Sequence, residues 1–376
     1  MKINLNKEQL ENLFSMNTFN NELLTVISKF LTYDSNIINK KIIDDFKKET
    51  GLSNDDAYKY LISSCLDEIG NNKNNFKDYV FNKVKILDQK DYFNNPYYKN
   101  IKIKNQKILN WELKELCYDS FESFIYKESE VDELNYFKTN PSLGCFSKKF
   151  YYPAVLENGR EWMTITPNEI ETMKQPLEIV KGNVVTFGLG LGYFAYMASI
   201  KEEIKKITII EKDKNAIELF KKIILPQIDT KDKIEILECD AFEYLNKIID
   251  GEYDYVFVDI WHDVRDGLDL YLSFKAIEMK FHKTLFMYWI EKEILIMLRS
   301  IIIRLIHEQI NSVDSLKIKS SNKEIDDLYK SIYNLLIDYE INNYSDLFKL
   351  LSDDGLLFIS GKIKKINKNF LFFLMM

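Results

Sequence analysis

The amino-acid sequence predicts an α/β protein built around a doubly wound parallel sheet. From residue 183 onward, short apolar runs alternate with helical patterns, which is typical of a parallel sheet covered by helices on both faces. The first run leads into the glycine-rich stretch TFGLGLGYFAY, as expected where a strand of a Rossmann-like core turns into a helix. We therefore predict four regions: an N-terminal helical domain (1–140), a β-hairpin with a linker helix (141–182), the Rossmann-like core (183–290) and a C-terminal helical region (291–376).

The composition is that of a folded globular protein. The chain has 376 residues, of which 46% are hydrophobic, and this is enough to bury a sizeable core. Its net charge of -7 repels nucleic acid, so we do not expect a nucleic-acid partner. The longest apolar region, 284–306, is interrupted by charged side chains, which argues against a membrane span. The N-terminus lacks the apolar core of a secretion signal and the cysteines are scattered, so we expect a cytoplasmic protein without a metal site.

Helical spacing of apolar residues marks the first part of the chain. We expect helices there over 20–31, 35–51 and 53–70. The second of these has Ser35 as its cap and stops at Gly51. After the core, 291–308 is apolar nearly all round, which indicates either the centre of the C-terminal region or a subunit contact. The stretch 353–360 is expected to form a late strand.

Turn and strand signals divide the middle of the chain. Asn158-Gly159 lies between two alternating, aromatic-rich runs and predicts a β-hairpin, because this dipeptide readily adopts the positive φ angles of a tight turn. A short helix over 168–180 follows. The core strands are expected at 183–188, 205–211, 233–240, 253–261 and 283–290.

Polar groups stand at the ends of successive core strands. The turn after the first strand holds Gly188, Gly190 and Gly192. Glycines let the backbone approach a ligand closely, although the same residues also suit a tight turn that binds nothing. Glu211 ends the second strand, Asp240 follows the third and Asp259 ends the fourth. Together they predict a nucleoside pocket, with Glu211 on the ribose hydroxyls and Asp240 on the adenine amino group.

The segment from 183 to about 263 resembles the core of a class I S-adenosylmethionine-dependent methyltransferase, with its GxGxG turn and its acids after the following strands. The resemblance implies S-adenosyl-L-methionine as the cofactor and places Asp259 beside the reacting centre. Ala241, next to Asp240, is expected to contact the adenine ring. Thr186 stands where the family has an acid that positions the methionine amino group, and we keep it among the predicted cofactor-binding residues.

Residues 145–280 more closely resemble the polyamine aminopropyltransferase branch of that superfamily, the spermidine synthase-like proteins. The hairpin, the stretch REWMTITPNEIETM and the tetrapeptide LPQI carry this resemblance. The turn of that branch reads GGGDG, and its acid helps to hold the aminopropyl donor, whereas the turn here has no acid. The branch's strand-four motif DSSDP is replaced here by DIWHD. We therefore favour methyl transfer from the ordinary donor.

Methyl transfer requires a nucleophile held near the donor and a group that removes its proton. Asp259 is the first predicted catalytic residue, because it ends the fourth strand. His262 is a predicted general base, with a loop histidine of no special role as the equal alternative. Asp263 resembles the second acid of the polyamine motif and is expected to bind a cationic amine. Trp261 is expected to line the site.

The predicted hairpin is expected to cover the acceptor as a lid. Its candidate residues are Tyr151, Tyr152, Trp162, Thr164, Thr166 and Glu169. Most of them are expected to be structural. Glu169 is the first to test, because a carboxylate facing a cleft is costly to keep without a role.

Three alternatives to a methyltransferase stay open. GLGYFA also matches the dinucleotide pattern GxGxxA, with an acid about 20 residues further on, but no nicotinamide half-site is visible. Aminopropyl or aminocarboxypropyl transfer would use a related sulfonium donor. A cofactor-binding scaffold without activity is the third. The expected partner is a small amine- or hydroxyl-bearing acceptor, and the apolar stretches 291–308 and 369–376 make a homodimer one option.

Overall fold

The computed structural model describes residues 1–70, 76–81, 83–103, 105–311 and 323–363. Its N-terminal part is mainly helical, with the elements β1 (Lys2–Ile3), α1 (Lys7–Tyr33), α2 (Lys40–Thr50), α3 (Asn54–Ile69), α4 (Phe76–Phe81), β2 (Lys85–Leu87), α5 (Gln89–Phe93) and α6 (Pro96–Asn100). The predicted cap at Ser35 is wrong, because Asn39 caps α2 by accepting two backbone N–H bonds. Gly51 ends this helix as predicted, with a φ of 73° that favours glycine.

Residues 106–164 form strands: β3 (Gln106–Ile108), β4 (Trp111–Tyr118), β5 (Phe124–Asp132), β6 (Lys138–Phe146), β7 (Phe150–Glu157) and β8 (Arg160–Thr164). The prediction of helices up to residue 140 is therefore wrong over its last quarter, from residue 106. Trp111 and Leu113 are buried at alternate positions of β4, as are Phe124 and Tyr126 in β5, so the apolar period there is two residues. One sheet has the order β3-β4-β7-β8 and a second β2-β6-β5.

The predicted hairpin is confirmed as β7 and β8, which pair in antiparallel fashion. Asn158 and Gly159 form its turn with φ angles of 51° and 79°. The predicted helix after it is present as two short helices, α7 (Pro167–Thr172) and α8 (Lys174–Ile179). These helices connect the hairpin to the parallel sheet.

The Rossmann-like core follows as β9 (Gly182–Phe187), α9 (Tyr193–Ser199), β10 (Ile204–Glu211), α10 (Lys214–Ile223), β11 (Ile234–Glu238), α11 (Ala241–Leu245), β12 (Tyr255–Val258), α12 (Val264–Glu278) and β13 (Leu285–Tyr288). All the predicted core strands are confirmed. They pair in parallel in the order β11-β10-β9-β12-β13. From β9 the sheet extends through β10 and β11 on one side and through β12 and β13 on the other, so the order of strands switches direction between β9 and β12. Ligands of open α/β sheets bind beside the carboxyl ends of the strands at such a switch point.

The C-terminal part contains α13 (Glu291–Ile310), α14 (Lys323–Leu336), β14 (Glu340–Ile341), α15 (Tyr344–Leu351) and α16 (Asp353–Ser360). α13 lies in the core, where it packs against α1, α12, α16 and β5. The late strand predicted at 353–360 is wrong. Ser352 caps α16 there, and the acids Asp353 and Asp354 in its first turn favour a helix.

The two ends of the chain meet, because β1 pairs in parallel with β14. The division into four regions stays a prediction, and the apolar tail 369–376 lies outside the described residues. Among the helices of the described ranges, none has the length and apolar character needed to cross a membrane.

Candidate active site

The glycine turn lies directly against the end of β12. Gly188, Gly190 and Gly192 have φ angles of 97°, 48° and 68°, in the region that favours glycine. A Cβ atom on Gly188 would collide with the carbonyl oxygen of Asp259. A Cβ on Gly192 would collide with the ring of Phe220 on α10. The sequence therefore needs glycine here both for the backbone angles and for close packing.

Neighbouring side chains fix the turn from two sides. The hydroxyl of Tyr97, a buried residue of α6, donates to the Leu191 carbonyl at 2.7 Å. The Leu189 N–H donates to Oε2 of Glu211 at 3.2 Å. The turn is thus held by one residue from the N-terminal helices and one from the core.

A cavity of about 220 Å³ lies between the turn and the hairpin sheet. Its lining includes Trp111, Trp162, Gly190, Glu211, Asp213 and Leu219. The two tryptophan rings meet edge to face with centroids 5.5 Å apart, and the Trp111 indole donates to Asp213 at 3.2 Å. Aromatic walls beside a carboxylate suit a nucleoside, whose base stacks and whose ribose donates hydrogen bonds.

Glu211 lies where the sequence predicts it, at the end of β10 on the rim of this cavity. Burial raises the pKa of its carboxyl, and the backbone N–H groups that it accepts lower it. Its Oε1 accepts from the Asp213 N–H at 2.8 Å. A carboxylate has about four acceptor positions, so Glu211 retains capacity for ribose hydroxyls.

Asp240 and Ala241 lie at the start of α11, and Asp240 is its N-cap. Its Oδ1 accepts from the N–H groups of Phe242 and Glu243 at 2.9 and 3.0 Å, which leaves Oδ2 as a further acceptor. Asp240 does not line the 220 Å³ cavity. Thr186 is buried within β9, opposite Phe257. The cofactor contacts of these residues stay predictions.

Asp259 directly follows β12, and its N–H donates to the Phe187 carbonyl at 2.9 Å. The residue is half-buried. Burial raises the pKa of this carboxyl to about 7. The group is therefore poised between its two protonation states near neutral pH.

Glu169, on α7, is a buried acid whose pKa is affected by the charge of Asp259. Only 5% of the residue is exposed, and its Oε1 has no hydrogen-bond partner within the described residues. Burial raises its pKa well above the usual range, the charge of Asp259 raises it further, and the Trp289 indole lowers it. The structure thus brings together the first predicted catalytic residue and the predicted lid acid.

His262 and Asp263 lie on the loop between β12 and α12. The side chain of Asp263 caps α12 and forms an ion pair with Arg265 at 3.1 Å. Burial raises its pKa, but the hydrogen bonds and the charge of Arg265 outweigh this and lower it. His262 is exposed, and its Nδ1 lies 3.5 Å from Asp266. The catalytic roles of His262 and Asp263 stay predictions. Capping of α12 explains the position of Asp263 without a catalytic role. Trp261 is buried, and its ring packs on Gly267.

The hairpin covers the glycine turn and reaches the loop after β12. The sulfur of Met163 accepts the Leu191 N–H at 3.2 Å, and a Cβ on Gly190 would collide with it. The ring of Trp162 meets that of His262 edge to face, with centroids 4.0 Å apart. Met163 was not among the predicted site residues, because nothing in the sequence pattern distinguishes it from a core methionine.

The other predicted lid residues have separate positions. Tyr152 and Thr166 are buried, and Tyr151 is 48% exposed on β7. Thr164 pairs with Ala154 in the hairpin. In the described part of the chain, none of these four forms a side-chain hydrogen bond with Asp259, and their role as a lid stays a prediction.

A further acid, Glu128 on β5, lies beside Lys292 and Glu293 in the first turn of α13. The pKa of its carboxyl is raised to about 7, because burial and the charge of Glu293 raise it by more than the charge and backbone N–H of Lys292 lower it. Its Oε1 has no partner among the described residues. The sequence prediction missed Glu128, because β5 was expected to be helical.

Residues 177–277 match the family model of the spermine/spermidine synthase domain. This match confirms the predicted resemblance to the spermidine synthase-like branch. The matched residues are similar to that domain and contain the strands β9 to β12 of the parallel sheet.

Solved structures are also similar. Spermidine synthase from Thermotoga maritima is 16% identical with a TM-score of 0.29, over 40% of this chain and 59% of that one. A spermidine synthase in complex with the transition-state analogue AdoDATO is 16% identical with a TM-score of 0.25, over 47% of this chain and 60% of that one. The chain thus spans about three fifths of the length of each. No curated protein matches the chain.

Proposed function

We propose that the protein transfers a methyl group from S-adenosyl-L-methionine to the nitrogen of a small amine. The observation that carries this proposal is the position of Asp259, which directly follows β12 where the glycine turn packs against the strand end. The family match supports a transferase that uses a sulfonium nucleoside. When bound, such a donor supplies an electrophilic carbon on a positively charged sulfur.

The residues around the turn fit a nucleoside donor. Glu211 offers acceptors for ribose hydroxyls at the rim of the aromatic cavity. The turn approaches β12 so closely that a side chain at Gly188 is excluded. These residues would bind the donor and keep its reacting end beside Asp259.

Asp259 then acts on the acceptor. A general base works best when its pKa lies near the working pH, and burial gives Asp259 a pKa of about 7. An amine is protonated in water at neutral pH, so it must lose a proton before its nitrogen can attack. Asp259 removes this proton, and the hairpin restricts the entry of water.

The backbone of the turn favours the ordinary donor. Among the described residues, the Leu191 N–H donates to the sulfur of Met163 alone, and a thioether is a weak acceptor. The carboxylate of a methionine group is a much stronger acceptor for such a donor group. A decarboxylated donor has no group of this kind.

Aminopropyl transfer from the decarboxylated donor is the second candidate function. The match to the spermine/spermidine synthase domain favours it, and Glu169 supplies a buried carboxylate near the turn that an aminopropyl ammonium requires. In both functions the nitrogen of the acceptor attacks a carbon atom bound to the sulfonium sulfur of the donor.

Product mass separates the two functions. The full-length protein is incubated with S-adenosyl-L-methionine or with its decarboxylated form, together with a panel of alkyl amines and alcohols. We expect an amine product heavier by one methyl group with the first donor. A product heavier by an aminopropyl group would replace methyl transfer with the second candidate, and no transfer to any amine would contradict both.

A further inference from the structure

We infer that Tyr97 positions the glycine turn and, through it, the carboxyl of Glu211, so that α6 contributes to donor binding without contacting the donor. The inference rests on the proposed donor site and deepens it. Tyr97 does not line the cavity between the turn and the hairpin sheet. α6 also precedes residues 177–277, so the family match does not account for its contact with the turn.

Tyr97 binds a backbone group that α9 does not use. Its side chain is fully buried, and its hydroxyl donates to the Leu191 carbonyl at 2.7 Å. Leu191 precedes Gly192, the N-cap of α9, and the Gly192 carbonyl accepts from the Tyr196 N–H at 2.8 Å. The regular hydrogen bonds of the helix thus begin one residue after Leu191. A buried carbonyl without a partner is unfavourable, so the Tyr97 hydroxyl stabilises this conformation of the turn.

The turn needs such a restraint because its glycines allow the backbone to rotate. Gly190 and Gly192 have φ angles of 48° and 68°, and glycine adopts positive and negative φ about equally readily. The two glycines therefore do not by themselves select one orientation of the peptide groups on either side of Leu191. Side chains select it from two sides, with the Tyr97 hydroxyl at the carbonyl and the Met163 sulfur at the N–H.

A series of hydrogen bonds connects Tyr97 to Glu211. The peptide group that carries the Leu191 carbonyl also carries the Gly192 N–H, which donates to the Leu189 carbonyl at 2.8 Å. The Leu189 N–H donates in turn to Oε2 of Glu211 at 3.2 Å. Rotation of the peptide group would break the bond to Leu189 and so loosen the residue that orients the carboxyl. Tyr97 is therefore a positioning residue that acts on the predicted ribose acceptor through the turn.

The interface between α6 and α9 offers a matched control for the Tyr97 hydroxyl. The Asn100 side chain donates to the Tyr196 hydroxyl at 2.7 Å, the same length as the bond from Tyr97. Both tyrosines are buried, and their ring centroids lie 5.7 Å apart. Tyr196 lies within α9 and not in the turn. Tyr97→Phe and Tyr196→Phe thus each remove one hydroxyl and one hydrogen bond involving these helices, but only the first releases the turn.

Titration calorimetry on the full-length protein tests the inference. The ligands are S-adenosylhomocysteine and its dideoxy analogue, which lacks both ribose hydroxyls. The proteins are the wild type, Tyr97→Phe, Tyr196→Phe, Glu211→Gln and the double variant of Tyr97 and Glu211. The ratio of the two affinities, measured on one sample, reports how well the hydroxyls are recognised. Partial unfolding lowers the concentration of binding sites and not this ratio, so it does not mimic the effect.

We expect Tyr97→Phe to lower the affinity for S-adenosylhomocysteine by about 3–10-fold, the usual contribution of one neutral hydrogen bond, and to change that for the dideoxy analogue by less than about twofold. Tyr196→Phe should bind both ligands as the wild type does. In the Glu211→Gln background, Tyr97→Phe should change the affinity by less than about twofold, because the charged acceptor that the turn orients is then absent.

Wild-type affinity of Tyr97→Phe for S-adenosylhomocysteine would overturn the inference. Equal losses for the two ligands would also overturn it, because the effect would then not involve the ribose hydroxyls. Equal losses in the two Phe variants, or additive losses in the double variant, would likewise contradict it. Failure of the wild type to bind S-adenosylhomocysteine would contradict the proposed function and the inference together, whereas the other outcomes contradict the inference alone.

Discussion

The two halves of the site differ in how their acids are held. In the half expected to bind the nucleoside, Glu211 and Asp240 accept backbone N–H groups. In the half expected to bind the acceptor, Glu169 is buried and Asp259 half-buried, burial raises the pKa of both carboxyls, and Glu169 has an oxygen without a partner among the described residues. Backbone groups therefore stabilise the charged form of the acids in the first half, whereas burial disfavours the charged form of those in the second. The contrast predicts different mutant behaviour in the two halves.

The largest effect is expected from Asp259→Asn. Loss of the general base should lower kcat by about 10²–10⁴-fold, while the affinity for the donor changes little. The control is Asp229→Asn, at an exposed position before β11. Steady-state kinetics and donor titration measure the two quantities, and a loss of donor affinity equal to the loss of kcat would remove the distinction between the halves.

The next effect is expected from Glu211→Gln. It removes a charged acceptor of ribose hydroxyls, and hydrogen bonds to charged groups contribute about 1.5–3 kcal/mol, so donor affinity should fall by about 10–100-fold. The preference for amine acceptors over alcohols should stay as in the wild type. Calorimetry with S-adenosyl-L-methionine measures the change, with the exposed Glu235→Gln on β11 as the control. Unchanged donor affinity in the Glu211 variant would show that the nucleoside does not bind in this cavity.

The acceptor acids should lower stability as pH rises. The folded pKa of Asp259 is about 7, above its unfolded value of about 4, so its contribution is present below about pH 4 and is lost as pH rises through 7. The free energy of unfolding of the wild type should therefore fall between pH 5 and pH 8. In Asp259→Asn this fall should be smaller by on the order of 2 kcal/mol. Denaturant unfolding at both pH values measures this, and identical pH slopes in the two proteins would contradict a raised pKa of Asp259.

The smallest effect is expected from Met163→Ala. Its sulfur covers the Leu191 N–H, which a donor carboxylate would otherwise accept. Removing it should raise the affinity for S-adenosyl-L-methionine by about two- to fivefold and leave that for the decarboxylated donor unchanged, because the N–H group then has no competing acceptor. Parallel titrations with both donors check the difference. An equal change for both would show that Met163 acts only by packing.

The sequence predicted the nucleoside half better than the acceptor half. Gly188, Gly190, Gly192, Glu211 and Asp240 lie at strand ends, and the order of strands along the chain is enough to place them at one edge. Trp111 was missed because alternating apolar residues in β4 were interpreted as helical. The pairing of Glu169 with Asp259 depends on how α7 packs against the core, which local patterns do not encode. Met163 reaches the turn only because β8 pairs with β7.

The central claim is that the turn after β9 binds a sulfonium nucleoside. The most direct measurement is calorimetric titration of the full-length protein with S-adenosyl-L-methionine, its decarboxylated form, S-adenosylhomocysteine and NAD. The account predicts binding of S-adenosyl-L-methionine and S-adenosylhomocysteine, weaker binding of the decarboxylated form and no binding of NAD. Binding of NAD alone would contradict it, because the acid after β10 would then belong to a dinucleotide site.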